Sequence, residues 1–171
     1  MQELRKITQE QLEEILLKHK LYLENKEGGE KADLSYCDLR DANLTGANLR
    51  DANLIGANLR DAYLRDADLE YADLKYANLI GAIILCANLT HANLQCANLQ
   101  CVNLRGANLE GANLEKADLR YANLRYAYLE NANLTGANLR YANLRYANLE
   151  NANLECADLT NTILQDTNYT K

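Results

Sequence analysis

The segment ADLSYCDLRDANLTGANLR, residues 32–50, starts a five-residue pattern that continues to Leu164 without a slip. With the central position of each unit called i, the 27 central positions from Leu34 to Leu164 hold Leu 26 times and Ile once, at Ile84. Position i−2 holds Ala in 24 units, and position i−1 holds Asn or Asp in 23. Because self-similarity at a fixed period is the signature of stacked repeats, the pattern predicts a repeat architecture.

The apolar positions decide the local geometry, since a period of five fits neither an α-helix, with about 3.6 residues per turn, nor a long strand. Side chains at i−2 and i point to the same side of an extended segment, while the side chain at i−1 points away. Each unit therefore predicts a three-residue strand with Ala and Leu inward. Positions i+1 and i+2 are mostly polar, and six of the eight glycines fall at i+2, which is typical of an exposed corner.

The exposed residues repeat with a longer period of 20. Residues 120–131, RYANLRYAYLEN, recur as residues 140–151, RYANLRYANLEN, with one difference. This period predicts that four units close one coil, so that residues 20 apart lie above one another. A recent duplication within the gene would also produce the match.

Units such as ADLSY, ANLTG and ANLRY resemble those of the pentapeptide-repeat family, and the resemblance covers most of the chain. It implies an all-β solenoid, namely a right-handed quadrilateral β-helix with i and i−2 inward. The 27 units would then make about seven coils. At a strand spacing of about 4.8 Å, the rod would be roughly 30 Å tall.

An N-terminal α-helical cap is expected because the end of a solenoid exposes strand edges and an open core. Thr8 followed by Gln11 resembles a capping box, and an amphipathic helix is predicted over about residues 8–20, followed by an extended segment over 20–25. The apolar stripe of this helix consists of Leu12, Ile15, Leu16 and Leu23. We therefore divide the chain into a cap with a linker, residues 1–30, and a β-helix, residues 31–171.

The C-terminal end of the repeat has no comparable cap in its sequence. Thr162, Thr167 and Tyr169 replace the usual Ala, Ala and Leu, and no helix is predicted before Lys171. Two hypotheses follow: two copies of the chain form a homodimer through this uncapped end, or Tyr169 closes it.

Composition bounds the class of protein. The chain has 171 residues, of which 48% are hydrophobic, and a net charge of −6. The apolar fraction excludes a mainly disordered chain, and no apolar run reaches the roughly 18 residues of a membrane span. The negative charge argues against direct nucleic acid binding. With five cysteines and no signal-peptide pattern, we expect free thiols in a cytoplasmic protein of bacterial type, with no membrane partner.

The residues that could carry metal or acid–base chemistry are scattered by the repeat. The potential metal ligands Cys86, His91, Cys96 and Cys101 all occupy i+2, which puts them at four different corners, too far apart for a Zn²⁺ ion that needs ligands at about 2.0–2.3 Å. The chain has one serine, and His19 lies far from His91. A Leu-filled rod also lacks a concave pocket. We expect no metal, no cofactor and no enzymatic activity.

Two groups of outward residues are candidate interaction surfaces. The Arg/Tyr surface consists of Arg105, Arg120, Arg125, Arg140, Arg145, Tyr121, Tyr126, Tyr141 and Tyr146. Arg and Tyr are enriched in binding hot spots, but Arg stems can equally cover Ala-rich walls and stack on tyrosines. The apolar patch consists of Tyr63, Ile80, Ile83 and Leu85. Exposed apolar clusters often mark contacts, and a local relaxation of the motif is the alternative.

Two functions compete. The first is a non-enzymatic β-helical scaffold for protein–protein interaction, with an unidentified protein partner. The second follows from the resemblance, because some pentapeptide-repeat proteins resemble duplex DNA in shape and charge and inhibit or protect DNA gyrase and related type II topoisomerases. That subgroup is typically rich in Phe, strongly acidic and equipped with a C-terminal helix and loops. This chain has no Phe and several Arg columns, although Glu110, Glu130 and Glu150 form an acidic column. The scaffold is therefore favoured.

Overall fold

The computed structural model describes residues 3–169 and shows a right-handed β-helix with one helix near its N-terminal end. Its named elements are β1 (Arg5–Lys6), α1 (Gln9–Leu23) and β2 (Cys37–Asp38). The rest of the β structure consists of single parallel bridges, because each strand is so short that only the outward residue at i−1 forms a bridge. Each bridge joins residues 20 positions apart, as the longer period predicts.

The bridges form four ladders, which we number as faces in chain order. Face 1 runs from Asp33 to Asn153 and face 2 from Asp38 to Asp158. Face 3 runs from Asn43 to Ile163 and face 4 from Asn48 to Asn148. The residues at i+1 and i+2 connect successive faces, so the corners are named 1–2, 2–3, 3–4 and 4–1.

Hydrogen bonds between coils hold each face together. The backbone N–H of Leu94 donates to the Asn113 carbonyl at 2.7 Å, and the N–H of Asn93 donates to the Ala72 carbonyl at 2.9 Å. The side chain of Asn93 extends both patterns, since its Oδ1 accepts from the Gln95 N–H and its Nδ2 donates to Asp73. Asn and Asp are therefore frequent at i−1 because their oxygens satisfy corner N–H groups.

The core contains the Leu and Ala residues that the pattern places inward. From Leu49 to Leu149, every residue at i and i−2 is buried. The larger Val102 fits the interior as Ala does, with 1% of its surface exposed. The assignment of inward and outward positions is thus confirmed.

Every corner turns through a left-handed residue at i+2, with φ between 53° and 69°. Gly, Asn and Asp tolerate this conformation best, whereas β-branched residues are strained in it. The sequence obeys this rule, because no Val, Ile or Thr occupies i+2, while Thr45, Ile55 and Ile80 occupy i+1. The left-handed conformation explains why the glycines cluster at i+2.

Helix α1 begins as predicted and ends later than predicted. The capping box is confirmed, since the Thr8 hydroxyl accepts from the Gln11 N–H at 3.2 Å and Gln11 Oε1 accepts from the Thr8 N–H at 2.8 Å. The prediction of an extended segment over 20–25 is wrong, because the helix continues to Leu23. Asn25, with φ of 52°, then closes it with paired bonds from the N–H groups of residues 25 and 26 to the carbonyls of residues 22 and 21.

The first coil is covered by two elements at the N-terminal end. Strand β1 pairs in parallel with β2, matching Arg5 to Cys37. The sequence gives no sign of β1, since it is two residues long and polar. Helix α1 lies beyond it and buries Leu12, while Ile15 and Leu16 pack against the core.

The last coil is more open than the coils before it. Leu154, Leu159 and Leu164 are only half-buried, because within residues 3–169 no further coil stacks on them. Tyr169 is also half-buried and packs against the core. The sequence predicts no helix before Lys171. The last two residues to which this prediction applies, 170 and 171, lie outside the described part of the chain.

Candidate functional site

The structure brings the Arg/Tyr surface and the apolar patch to one side of the rod. Tyr63 and Ile83 belong to face 3 and are joined by a bridge. The remaining residues flank this face at its two corners. Corner 2–3 carries Ile80, Arg120, Tyr121, Arg140 and Tyr141, and corner 3–4 carries Leu85, Arg105, Arg125, Tyr126, Arg145 and Tyr146. The two candidate surfaces are therefore one continuous strip about face 3.

Tyrosine rings stack along both corners. The centroids of Tyr121 and Tyr141 lie 5.1 Å apart, and those of Tyr126 and Tyr146 lie 5.0 Å apart. All four rings keep a large exposed fraction, from 39% at Tyr146 to 58% at Tyr121. Stacking thus fixes the rings without removing them from solvent.

At corner 3–4 the guanidinium groups lie against the rings. Arg105 and Arg125 lie 5.7 and 5.5 Å from the Tyr126 centroid, and Arg145 lies 4.8 Å from that of Tyr146. These distances suit cation–π contacts. Arginines thus lie over tyrosine rings at this corner, and Arg145 is also paired with a carboxylate, its Nε lying 3.5 Å from Asp166 Oδ2.

At corner 2–3 both arginines are held by carboxylates. Arg120 Nη2 lies 2.7 Å from Asp118 Oδ2, and Arg140 Nε lies 3.8 Å from Asp158 Oδ2. Burial alone would raise the pKa of Asp118, but hydrogen bonds from Arg120 and Gln100 outweigh it and lower that pKa. Asp118 therefore stays ionised and fixes Arg120, which the sequence pattern did not indicate.

The apolar patch is less exposed than the sequence suggests. Tyr63 exposes 48% of its surface, whereas Ile80, Ile83 and Leu85 are half-buried. Ile83 replaces the usual Asn at i−1, so its unit lacks the side-chain oxygen that accepts the N–H of i+1 in units with Asn at i−1, such as Asn88 and Asn93. The patch adds modest apolar area to the N-terminal half of face 3.

Acidic residues line corner 4–1, the corner that follows corner 3–4 along the chain. Glu110, Glu130 and Glu150 follow one another at corner 4–1, and Glu130 accepts a hydrogen bond from the Asn148 side chain. The rod is therefore basic along corner 3–4 and acidic along corner 4–1.

The four potential metal ligands lie at four different corners. Cys86 is at corner 3–4, His91 at 4–1, Cys96 at 1–2 and Cys101 at 2–3, and His91 stacks on Tyr71 at 5.1 Å. Among residues 3–169, no three His, Cys, Asp or Glu side chains form a group that could hold a metal ion.

The thiols and the two histidines differ in burial. All five cysteines are free, with Cys37 buried and Cys86, Cys101 and Cys156 exposed. Burial raises the pKa of the Cys37 thiol. His19 is fully buried, and its Nδ1 accepts a hydrogen bond from the Ala32 N–H at 3.1 Å. It is a packing residue at the junction of α1 and the first coil.

The repeat geometry agrees with a known sequence family. The family model described as Pentapeptide repeats matches in 8 copies, over residues 32–70, 62–100, 72–111, 97–136 and 132–168. The chain belongs to the pentapeptide repeat family. No curated protein matches it significantly. Within residues 3–169, no helix is both long and apolar enough to cross a membrane.

Several solved pentapeptide repeat proteins are similar to this chain. HetL, involved in heterocyst differentiation regulation in the cyanobacterium Nostoc sp. strain PCC 7120, is 37% identical over 81% of this chain and 70% of its own, with a TM-score of 0.42. Rfr23 from the cyanobacterium Cyanothece 51142 is 30% identical over 85% of this chain and 95% of its own, with a TM-score of 0.35. QnrB1, a plasmid-mediated fluoroquinolone resistance protein, is 26% identical over 72% and 70%, with a TM-score of 0.37.

Proposed function

We propose that this pentapeptide repeat protein is a non-enzymatic scaffold that binds a protein partner through face 3 and its two flanking corners. The observation that carries the proposal is the gathering of both candidate surfaces on one side of the rod. Interfaces concentrate Tyr and Arg near their centres, with apolar residues adjoining. Face 3 and its two flanking corners have this composition.

Rigidity of the strip supports the proposal. Binding orders mobile side chains at a cost of roughly 0.5–1.5 kcal/mol each. The stacked pairs Tyr121–Tyr141 and Tyr126–Tyr146 are already ordered, as is Arg120 through Asp118. A partner that docks on face 3 would avoid much of this cost.

A matched pair of tyrosines tests the proposal. Tyr121 lies on the strip and Tyr76 at corner 1–2, yet both have φ of 61° and expose 58% and 56% of their surfaces. Photoreactive benzoylphenylalanine is placed at one position or the other, and the two variants should fold equally well. We expect one discrete crosslinked partner from Tyr121 in lysate of the source organism, and none from Tyr76.

Competition then identifies the surface. Unlabelled protein should abolish the Tyr121 crosslink, an Arg50→Glu variant should do so equally, and an Arg105→Glu variant should fail to compete. Arg105 is exposed at corner 3–4, whereas Arg50 lies at corner 4–1. Identical crosslinks from Tyr121 and Tyr76, or equal competition by the two variants, would contradict the proposal.

A second candidate is DNA mimicry, with inhibition or protection of DNA gyrase or a related type II topoisomerase. The acidic column Glu110, Glu130 and Glu150 favours it. Duplex DNA carries a negative charge about every 1.7 Å, whereas the column carries one per coil, about every 4.8 Å, over three coils. The basic strip on corner 3–4 weakens the likeness further, so this candidate stands second.

A supercoiling assay, with and without a quinolone, decides between the candidates. DNA mimicry predicts inhibition or protection at low micromolar protein, lost when Glu110, Glu130 and Glu150 are changed to Gln. The same change at Glu10, Glu13 and Glu27, in and just after α1, is the control for net charge. Under the scaffold proposal, none of these proteins affects supercoiling.

The finer architecture belongs to the same proposal. We assign residues 1–30 to a cap with a linker and residues 31–171 to a β-helix of about seven coils. Burial of Leu12 and packing of Ile15 and Leu16 on the core support the capping role of α1. Half-burial of Leu154 supports a homodimer through the C-terminal end, although Tyr169 covers part of it. A cytoplasmic location and a bacterial source stay predictions.

A further inference from the structure

Corner 3–4 contains a gap in its column of side chains. Cys86, Gly106, Tyr126 and Tyr146 occupy the same position in four successive coils. Coils are about 4.8 Å apart, close to the 5.0 Å that separates the Tyr126 and Tyr146 rings. Because Gly106 has no side chain, no ring from that coil stacks on Tyr126, and the guanidinium groups of Arg105 and Arg125 lie over the Tyr126 ring instead.

Although the Leu-filled interior predicts no concave pocket, the gap opens at the surface into a groove of about 480 Å³. Its lining comprises Arg65, Asp66, Leu85, Cys86, Arg105, Gly106 and Tyr126. The sulfur of Cys86 forms the roof, since a Cβ added at Gly106 would lie 3.5 Å from it. Clefts of this volume are in the range that holds small organic molecules.

The charges around the groove favour an anion. Neither Arg65 nor Arg105 forms an ion pair with any residue in 3–169. Arg105 lies over the Tyr126 ring, with its Cζ 5.7 Å from the centroid, so a ligand ring that stacks on Tyr126 would meet this guanidinium group. Asp66 is the one carboxylate in the lining, so two guanidinium groups outnumber it.

We propose that this groove binds a small planar aromatic carboxylate, with its ring on Tyr126 beneath Cys86 and its carboxylate paired with Arg65 and Arg105. The flat face of Tyr126 selects a planar ring, because an offset stack needs a partner at one ring spacing. The paired guanidiniums select a carboxylate, which accepts charge-assisted hydrogen bonds. The inference requires no protein partner, although Leu85, Arg105 and Tyr126 in the groove also belong to the face 3 strip.

Three probes test the two selections separately. 2-Naphthoate has about a dozen heavy atoms and should bind with a dissociation constant on the order of 1 mM, by fluorescence anisotropy. 2-Naphthylmethanol lacks the charge, and cyclohexanecarboxylate lacks the planar ring. Each, as a competitor, should bind at least about 10-fold more weakly. Equal affinity for either analogue would overturn the proposal, as would no binding of 2-naphthoate.

Two glycines provide a matched pair of variants. Gly106→Tyr adds the missing ring and fills the gap, whereas Gly136→Tyr adds a ring at corner 1–2. The backbone is alike at both sites, with φ of +69° and +65°, and a Cβ at either would meet its nearest neighbour at 3.5 Å. Gly106→Tyr should abolish 2-naphthoate binding and Gly136→Tyr should preserve it, with similar thermal midpoints. Equal behaviour of the two variants overturns the proposal.

Thiol reactivity gives a second, independent measurement on the unmodified protein. Cys86, Cys101 and Cys156 are all exposed, but only Cys86 lines the groove. Saturating 2-naphthoate should slow alkylation of Cys86 by N-ethylmaleimide several-fold and leave the rates at Cys101 and Cys156 unchanged. Equal slowing at all three thiols, or none at Cys86, would show that the ring does not occupy the groove.

Discussion

The rings of Tyr121 and Tyr141 lie 5.1 Å apart and within 5° of parallel. The two residues are 20 positions apart, so one occupies the place of the other in the next coil. The spacing of the coils, about 4.8 Å, therefore sets the distance between the rings. The backbone, rather than any packing of the side chains themselves, makes aromatic stacking available at every corner of this fold.

The stacked pair should contribute measurable coupling energy. In a double-mutant cycle of Tyr121→Ala and Tyr141→Ala, we expect a coupling free energy of about 0.5–1.5 kcal/mol in urea unfolding. The cycle of Tyr121→Ala with Tyr76→Ala is the control, because these rings lie at different corners, and its coupling should stay below about 0.5 kcal/mol. Equal coupling in both cycles would mean that the stack does not contribute to stability.

The cost of truncating a core leucine should depend on its coil. Leu94 is fully buried in the middle of the rod, and Leu154 is half-buried in the last described coil. Leu94→Ala should lower the free energy of unfolding by about 2–5 kcal/mol, because it leaves a cavity that rigid neighbours cannot fill. Leu154→Ala should cost below about 2 kcal/mol, since less apolar area is lost. Similar losses in urea titrations would show that the end coil is covered in solution.

Burial of His19 should make stability depend on pH. Burial lowers the pKa of His19 below its ordinary value of 6.5, against smaller opposing effects of the Arg50 backbone and Asp51. The unfolded chain then binds the proton more readily, so this stability is complete above about pH 6.5 and declines as the pH falls, by at most about 1.4 kcal/mol per pH unit. Protonation at Nδ1 also removes the acceptor for the Ala32 N–H.

Comparison with a His19→Gln variant isolates this contribution from the carboxylates. The amide oxygen of Gln can accept the Ala32 N–H at every pH, so the variant should lose less stability between about pH 7.5 and about pH 5.5. Urea titrations at the two pH values measure the difference. Parallel losses in the two proteins would remove His19 as the cause.

The left-handed corners should discriminate between side chains of similar size. Gly46 has φ of +66°, and a Cβ added there meets no atom within 4 Å, so only backbone strain distinguishes its variants. Gly46→Asn should be tolerated, while Gly46→Val should be less stable by at least about 1 kcal/mol, because β-branched residues are strained in this conformation. Equal thermal stability of the two variants would contradict the role assigned to φ.

The core could be predicted from the sequence because one geometric rule covers it. Residues two apart in a strand face the same side, so Ala52 and Leu54 must be inward once Asn53 is outward. The period of 20 likewise places Tyr63 above Ile83. These inferences need no knowledge of side-chain conformation.

The N-terminal elements were harder to predict because their signals are local or absent. Thr8 and Gln11 form a capping-box pattern that predicts the start of α1. The end of α1 depends on Asn25, which adopts a left-handed conformation. Strand β1 pairs with residues far along the chain, and its Arg5 and Lys6 have no apolar pattern. Pairing over such a distance leaves no periodic trace.

The sequence predicts which residues of the candidate site stack in one column, but it does not predict how their side chains contact one another. The repeat assigns Arg125 and Tyr126 to one corner, yet the contact of the guanidinium with the ring follows from the left-handed turn at residue 126. The gap at Gly106 becomes visible only when Cys86 and Tyr126 are seen above and below it. Coil-by-coil alignment of the i+2 residues would have found the missing side chain.

Because each bridge joins residues 20 apart, the length of an insertion decides what becomes of the surface. One added pentapeptide leaves the core intact but rotates everything after it by a quarter turn, so Arg125 would move away from Arg105 to another corner. Four added pentapeptides lengthen the rod and keep every column aligned. Lineages that retain the face 3 strip should therefore differ in length by multiples of 20 residues within the repeat, whereas lineages that have lost it are free to change by five.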